Sequence, residues 1–227
     1  MSGETNLLED FGGVARLFPL PNLVFFPRVV QPLHIFEPRY RQMTADALAG
    51  DRLIAPVLLR PGWEEDYDAR PAVQPVACLG RVVAEQLLPD GRYNLLLRGL
   101  SRVRLLGEVP DGKLYRTARA ELIADVPPAS LEAARRLRQE LAERVLPRFA
   151  AGPAREQLRE LFQGELSLGA LCDILGFALP LPVEQKQALL EQLDVSRRAE
   201  HLLGLLDALT PAPADPDRKF PPDFSAN

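Results

Sequence analysis

The residues Gly107-Glu-Val-Pro-Asp-Gly-Lys113 carry the glycine and lysine spacing of a phosphate-binding loop. In such a loop the backbone N–H groups cradle the phosphates, the lysine reaches the outer oxygens, and a following Ser or Thr holds Mg²⁺. A helix must then begin, so that its N-terminus faces the anion. Here Leu114 stands where the hydroxyl is needed, and Tyr115-Arg-Thr has the pattern of a strand. Pro110-Asp-Gly is turn chemistry, so the segment reads as a tight turn between strands.

Other reactive constellations are sparse. A serine nucleophile needs a base beside it. Ser101 lies in Gly-Leu-Ser-Arg-Val, which is not a nucleophile elbow, and the two histidines, His34 and His201, fall in different halves of the chain. His34 alternates with Leu33 and Ile35, which places it on an outer sheet face in a structural role. No Cys/His spacing suits zinc. Cys78 and Cys172 sit in apolar contexts and read as buried small hydrophobes. The run Glu64-Glu-Asp66 with Asp68 could bind a divalent cation, but nothing fixes the carboxylates' geometry, and it reads as a solvated loop. No catalytic, cofactor-binding or metal-binding residue is assigned.

Two groups are suited to binding. Phe25, Phe26, Phe36, Trp63 and Tyr67 lie in or beside proline-rich segments that cannot all be buried in regular sheet. They either fill the core and pin loops, or line an apolar groove that receives extended peptide, to which an edge strand could add main-chain hydrogen bonds. Arg98, Arg102 and Arg104 share strand parity. They would form a stripe on one sheet face, either solvated or a polyanion site. A net charge of −4 and a pI near 5.4 oppose attraction to nucleic acid or anionic lipid. No stretch approaches the ~20 apolar residues of a spanning helix, and Met1 to Gly13 lacks the pattern of a signal peptide. A cytoplasmic protein without a membrane partner is expected.

The elements that must position these residues fall into two halves. Phe18 to Arg41 packs large apolar residues between prolines. Proline lacks an N–H and fixes φ, so the strands there are expected to be short, edge-like or kinked, as in a small bent barrel. Pro38 suits the first position of a helix carrying Tyr40, Met43, Ala47 and Leu48, which Gly50 ends. Strands are predicted over Leu53–Leu59, Val76–Leu88, Tyr93–Leu106 and Leu114–Ile123, with turns at Pro89-Asp-Gly and Pro110-Asp-Gly. After Pro127-Pro128 the apolar spacing becomes helical, predicting five helices with Ser130, Ser167 and Ser196 as caps. The expected class is α+β: a barrel with one helix over residues 14–126, a helical bundle over 127–209, and a flexible Pro-rich tail over 210–227 with Phe220 and Phe224 as docking points.

Three blocks carry a family resemblance. They are Phe18-Pro-Leu through Pro27 with Pro32-Leu-His-Ile-Phe-Glu-Pro-Arg-Tyr-Arg41; Leu79-Gly-Arg-Val-Val-Ala84 with Pro89-Asp-Gly-Arg-Tyr-Asn-Leu-Leu-Leu-Arg-Gly-Leu-Ser-Arg-Val-Arg104; and Leu179-Pro-Leu with Glu184 through Glu200. In this order the chain resembles the N-terminal, substrate-binding domain of the Lon protease, found also in cereblon and as single-domain bacterial proteins. The resemblance implies a PUA-like β-barrel followed by a helical subdomain, and recognition of exposed hydrophobic segments in damaged proteins. Arg28 departs from the family pattern, which usually has glycine after Phe-Pro, so the turn there is expected to differ in shape. The chain stops before the ATPase and serine–lysine peptidase domains of the protease, so neither activity is expected. The reading is a non-catalytic protein that binds an unfolded client or a partner polypeptide such as a protease, with a second copy of itself as a further candidate partner. Its rivals are an RNA-binding PUA-like module, and an enzyme or small-molecule binder with a pocket between the subdomains.

Overall fold

The computed structural model describes Leu8, residues 11–66 and residues 70–209. Tyr67, Asp68, the Asp66 side chain, and the Pro-rich segment with Phe220 and Phe224 lie outside the described residues. The chain divides into two compact units between Ala124 and Asp125.

Six strands are described in the first unit: β1 (Val14–Leu20), β2 (Val30–Ile35), β3 (Leu53–Leu58), β4 (Val76–Leu87), β5 (Tyr93–Val109) and β6 (Arg116–Ile123). Helix α1 (Pro38–Ala49) follows β2. The sheet runs β2-β5-β4-β3-β1-β6, and β6 returns to pair with the far half of β5. Five strands therefore close on themselves, and β2 is added outside the closed circuit. Among the described strands this closure leaves β2 as the one with a partner strand on a single side. Ala15, Ala55, Ala77, Ala118 and Ala120 share the interior with Leu17, Leu53, Val57, Leu79 and Val103. Small side chains let so few strands curve round a filled centre.

The prolines do enter these strands, at ladder ends. Pro19 faces Val57, but the β6 pairing of β1 stops at Leu17. Pro56 faces Phe18, but the β4 pairing of β3 stops at Ile54. Pro32 lies on β2, which pairs with β5 alone. Each missing N–H thus falls where one neighbour is absent, the tolerated place for proline.

The segment between β1 and β2 is pinned across β5. Arg28 N–H donates to the Gly99 carbonyl at 2.8 Å, and Gly99 N–H donates to Val29 at 2.8 Å. Phe25 packs beside Gly80 and Leu97. The turn adopts φ 66° at Arg28, the left-handed region that a glycine would occupy without strain. Arg28 thus holds, with a side chain, a conformation that glycine adopts without strain. The Gly107–Lys113 segment joins β5 to β6 as a hairpin, with no helix after it.

The second unit holds α2 (Leu131–Val145), α3 (Pro153–Gln163), α4 (Leu168–Ala178), α5 (Val183–Glu191) and α6 (Val195–Ala208). Ser130 and Ser167 accept from the N–H groups of Ala133 and Ala170 at 3.1 and 3.2 Å. The α6 cap is Asp194 rather than Ser196. Its carboxylate accepts from Ser196 and Arg197 N–H at 2.9 and 3.0 Å, so the helix starts a residue before the serine. Long cations close helix C-termini: Arg138 donates to the carbonyls of Phe162, Gly164 and Leu166, and Lys186 to that of Phe177. This satisfies carbonyls that a helix end leaves without partners. Arg198 is fully buried and holds Asp173 at 3.0 Å, Asp125, and the Gln192 carbonyl at 2.8 Å.

No helix among the described residues is long and apolar enough to cross a membrane.

Candidate functional site

A cavity of about 600 Å³ opens on the first unit and is lined by residues of that unit alone. One wall comes from β1 and the residues after it, with Phe18, Leu20 and Leu23. The second comes from β2 and α1, with Leu33, Ile35, Phe36 and Tyr40. Trp63, on a short 3₁₀ turn, and Leu114, on the β5–β6 hairpin, complete the rim. The sequence sets this arrangement locally. Glu37 is extended, Pro38 starts α1, and the chain bends so that Phe36 and Tyr40 stand on either side of the bend. Phe18 meets Tyr40 edge-on with ring centroids 4.5 Å apart, and the Arg39 guanidinium lies 4.7 Å from the Tyr40 ring centre.

Phe36 is 47 % exposed and Leu114 65 % exposed, while the floor residues Leu33, Ile35 and Phe18 are buried. The pocket is therefore apolar at its base and apolar again at its mouth. Polar groups edge it. Arg39 holds Glu37 at 2.8 Å, Arg116 holds Glu108, and His34 Nδ1 lies 2.8 Å from Asn94 Oδ1. His34 also stacks against Phe36 at 6.2 Å.

The hairpin wall is fastened to α1. Lys113 Nζ donates to Asp46 Oδ2 at 2.9 Å and to the Tyr115 hydroxyl at 2.9 Å, and that hydroxyl donates to Asp46 at 2.8 Å. Leu114 N–H donates to Gln42 Oε1 at 3.0 Å. The Lys113 hydrogen bond holds the Asp46 carboxyl below its ordinary range, with Tyr115 adding to the effect. Tyr115 and Asp46 push the Lys113 ammonium above its usual value, and burial pushes the Tyr115 phenol up. This lysine, which the sequence places in a phosphate-loop pattern, is thus committed to a carboxylate.

The aromatic residues singled out by the sequence separate. Phe36 and Trp63 line the cavity; Phe25 and Phe26 are 1 % and 0 % exposed and pin the crossing over β5. Tyr67 lies outside the described residues. Phe18, Tyr40 and Leu114 were missing from the sequence-based set. The Phe18–Tyr40 contact spans β1 and α1, and only the fold brings it together.

The arginine stripe is corrected. Ser101 faces Leu79 and Gly99 faces Gly80, so Leu100 is an extra residue that resets the parity of β5. Arg98 faces Arg81 and Arg102 faces Cys78, three residues apart on β4 and hence on opposite sheet faces. Arg102 is 3 % exposed, and Arg104 is paired with Glu121 at 2.7 Å. Among the described residues no three His, Cys, Asp or Glu side chains gather as a metal site. Cys78 and Cys172 are both buried thiols.

The family described as the ATP-dependent protease La (LON) substrate-binding domain matches residues 14–208. A Lon protease of Anaeromyxobacter dehalogenans is 30 % identical over 202 residues, covering 88 % of this chain and 24 % of that protein. Lon protease 2 of Myxococcus xanthus gives the same identity and coverage. The chain thus spans about a quarter of the length of these curated relatives. Among solved structures, a Lon N-terminal domain protein from Xanthomonas campestris superposes with a TM-score of 0.61 at 24 % identity, covering 84 % of this chain and 97 % of that one. The N-terminal domain of a Mycobacterium avium complex Lon protease gives a TM-score of 0.66 at 16 % identity, covering 86 % and 98 %. The shared α+β fold and the match over nearly the whole described chain lead to one assignment: the chain belongs to the Lon substrate-binding domain family.

Proposed function

We propose that the chain is a non-catalytic binding protein whose groove takes exposed apolar segments of a polypeptide, as in an unfolded client. The carrying observation is the half-exposed Phe36 set with Trp63, Tyr40 and Leu114 around an apolar cavity of about 600 Å³. Large apolar side chains left in water around a concave site are the usual mark of a binding surface. Membership of a substrate-binding family supports the same reading. Hydrophobic contact supplies the affinity, so binding tolerates salt.

The test is fluorescence anisotropy with a reduced, carboxymethylated model protein and its folded counterpart. Binding to the unfolded form alone, weakly dependent on salt and reduced in Phe36→Ala, is expected. Equal or absent binding of the two forms defeats the proposal. A steep fall in affinity with salt toward an RNA probe would point to the polyanion alternative instead.

A further inference from the structure

We propose that the polypeptide in the groove binds as an added β-strand along the outer edge of β2, pairing with the backbone of Val30 and His34. This rests on the polypeptide-binding reading above and names its mode.

Strand β2 has β5 on one side and no described strand on the other. Which backbone groups face outward follows from two observations. Gly99 N–H, on β5, donates to the Val29 carbonyl, so the odd-numbered residues of β2 point toward β5. Pro32, with no N–H to give, is opposite Leu96 on the even-numbered set, the side that needs no β5 bond. The N–H and C=O groups of Val30 and His34 therefore point away from β5. Among the described residues no strand pairs with them on that side.

The cavity lies beside the Gln31–Phe36 part of this edge. Its lining takes Gln31, Leu33 and Ile35 from one face of β2 and His34 from the other, with Phe36 just beyond. A space that touches both faces of a strand runs beside its edge, because successive side chains point to opposite faces. Unpaired strand donors and acceptors beside an apolar trough are complementary to one kind of ligand, an extended chain with alternate apolar side chains. The guest's side chains of one parity would enter the trough, and its amides would continue the sheet.

Pro32 limits the pairing. Its carbonyl already accepts from Gln31 Nε2 at 2.9 Å, and it offers no donor. The edge thus has strong contacts at Val30 and His34 and a weak one between them. It accepts a single guest poorly suited to propagation, a common restraint on exposed edges.

The test is an N-methyl scan of a short labelled peptide alternating Leu and Phe with Ser, titrated against the full chain. Methylation removes one donor at a time. Loss of affinity should alternate along the peptide, about tenfold at amides of one parity and under about twofold at the other. His34→Pro, which removes the edge N–H as well as the imidazole, should weaken binding several-fold beyond His34→Ala. Losses without alternation, in a peptide that still binds and still depends on Phe36, would overturn the added strand and leave a groove that reads side chains alone. If the unmodified peptide does not bind, the polypeptide reading itself falls and this mode with it.

Discussion

The backbone of Phe26 passes over Gly99 so closely that a Cβ on Gly99 would stand 2.1 Å from the Phe26 carbonyl oxygen and 2.9 Å from its carbon. The crossing is also held by the hydrogen bonds of Arg28 and Gly99. Gly99→Ala must therefore displace main chain rather than a side chain. A loss of about 3 kcal/mol or more is expected in urea denaturation, at the upper end for overpacked sites. Gly12→Ala, whose added Cβ meets nothing within 4 Å, serves as the control. Equal midpoints for the two variants would refute the close crossing.

Arg28 sits two residues beyond that crossing with φ 66° and an exposed side chain. An L-residue with a Cβ carries a cost of roughly 1 kcal/mol in this region that glycine lacks. Arg28→Gly should be more stable than Arg28→Ala by about that amount, since both variants delete the same guanidinium. Thermal melting measures the difference. If Ala proves equal or better, the turn does not hold the left-handed conformation.

The fold was legible where physics acts locally. The prolines announced the short strands β1, β2 and β3, the tight turns announced the hairpins on either side of β5, and Ser130 and Ser167 announced two helix starts that their hydrogen bonds confirm. The site was legible only in part. Phe25, Phe26 and Phe36 look alike in the sequence, within a dozen residues among prolines. What separates them is the crossing over Gly99, a contact between positions some seventy residues apart. The arginine stripe failed for a comparable reason: one bulge residue, Leu100, reverses strand parity, and nothing in its type signals that.

That separation predicts opposite phenotypes for one substitution. Phe25→Ala removes a side chain that is 1 % exposed and should cost about 3–5 kcal/mol of stability. Phe36→Ala removes one that is 47 % exposed, so stability should change little while affinity for unfolded polypeptide falls. Paired denaturation and anisotropy titrations decide it. A Phe36→Ala protein that unfolds as readily as Phe25→Ala would assign Phe36 to the core.

In the helical unit, Arg198 is 0 % exposed and Asp173 2 %. Arg198→Met takes the guanidinium away from the buried Asp173 carboxylate and is expected to cost about 3–5 kcal/mol. Asp173→Leu should cost less, because Arg198 keeps its ion pair with Asp125. The double variant should lose less than the sum of the two, because neither member of the buried pair is left behind by the other. A double-mutant cycle with additive losses would show that the two charges are not coupled.

The hairpin wall of the groove makes a prediction in pH. Asp46 has its pKa lowered in the folded protein, so its contribution is present above the ordinary value of 3.8 and is lost as pH falls through the depressed value. Lys113 has its pKa raised, so its contribution is present below 10.5 and is lost only as pH rises toward the elevated value. The fastening is thus intact across the neutral range and opens first in acid. About a third of each side chain is exposed, so solvent screening keeps the effect on global stability small. The local readout is sharper: amide exchange at Leu114, whose N–H is held by Gln42 beside this cluster, should accelerate relative to the barrel strands as pH drops below about 4. Asp46→Asn should show the faster exchange already at neutral pH and lose the acid transition. If exchange at Leu114 in Asp46→Asn matches the parent at neutral pH, the carboxylate does not hold the groove wall in place.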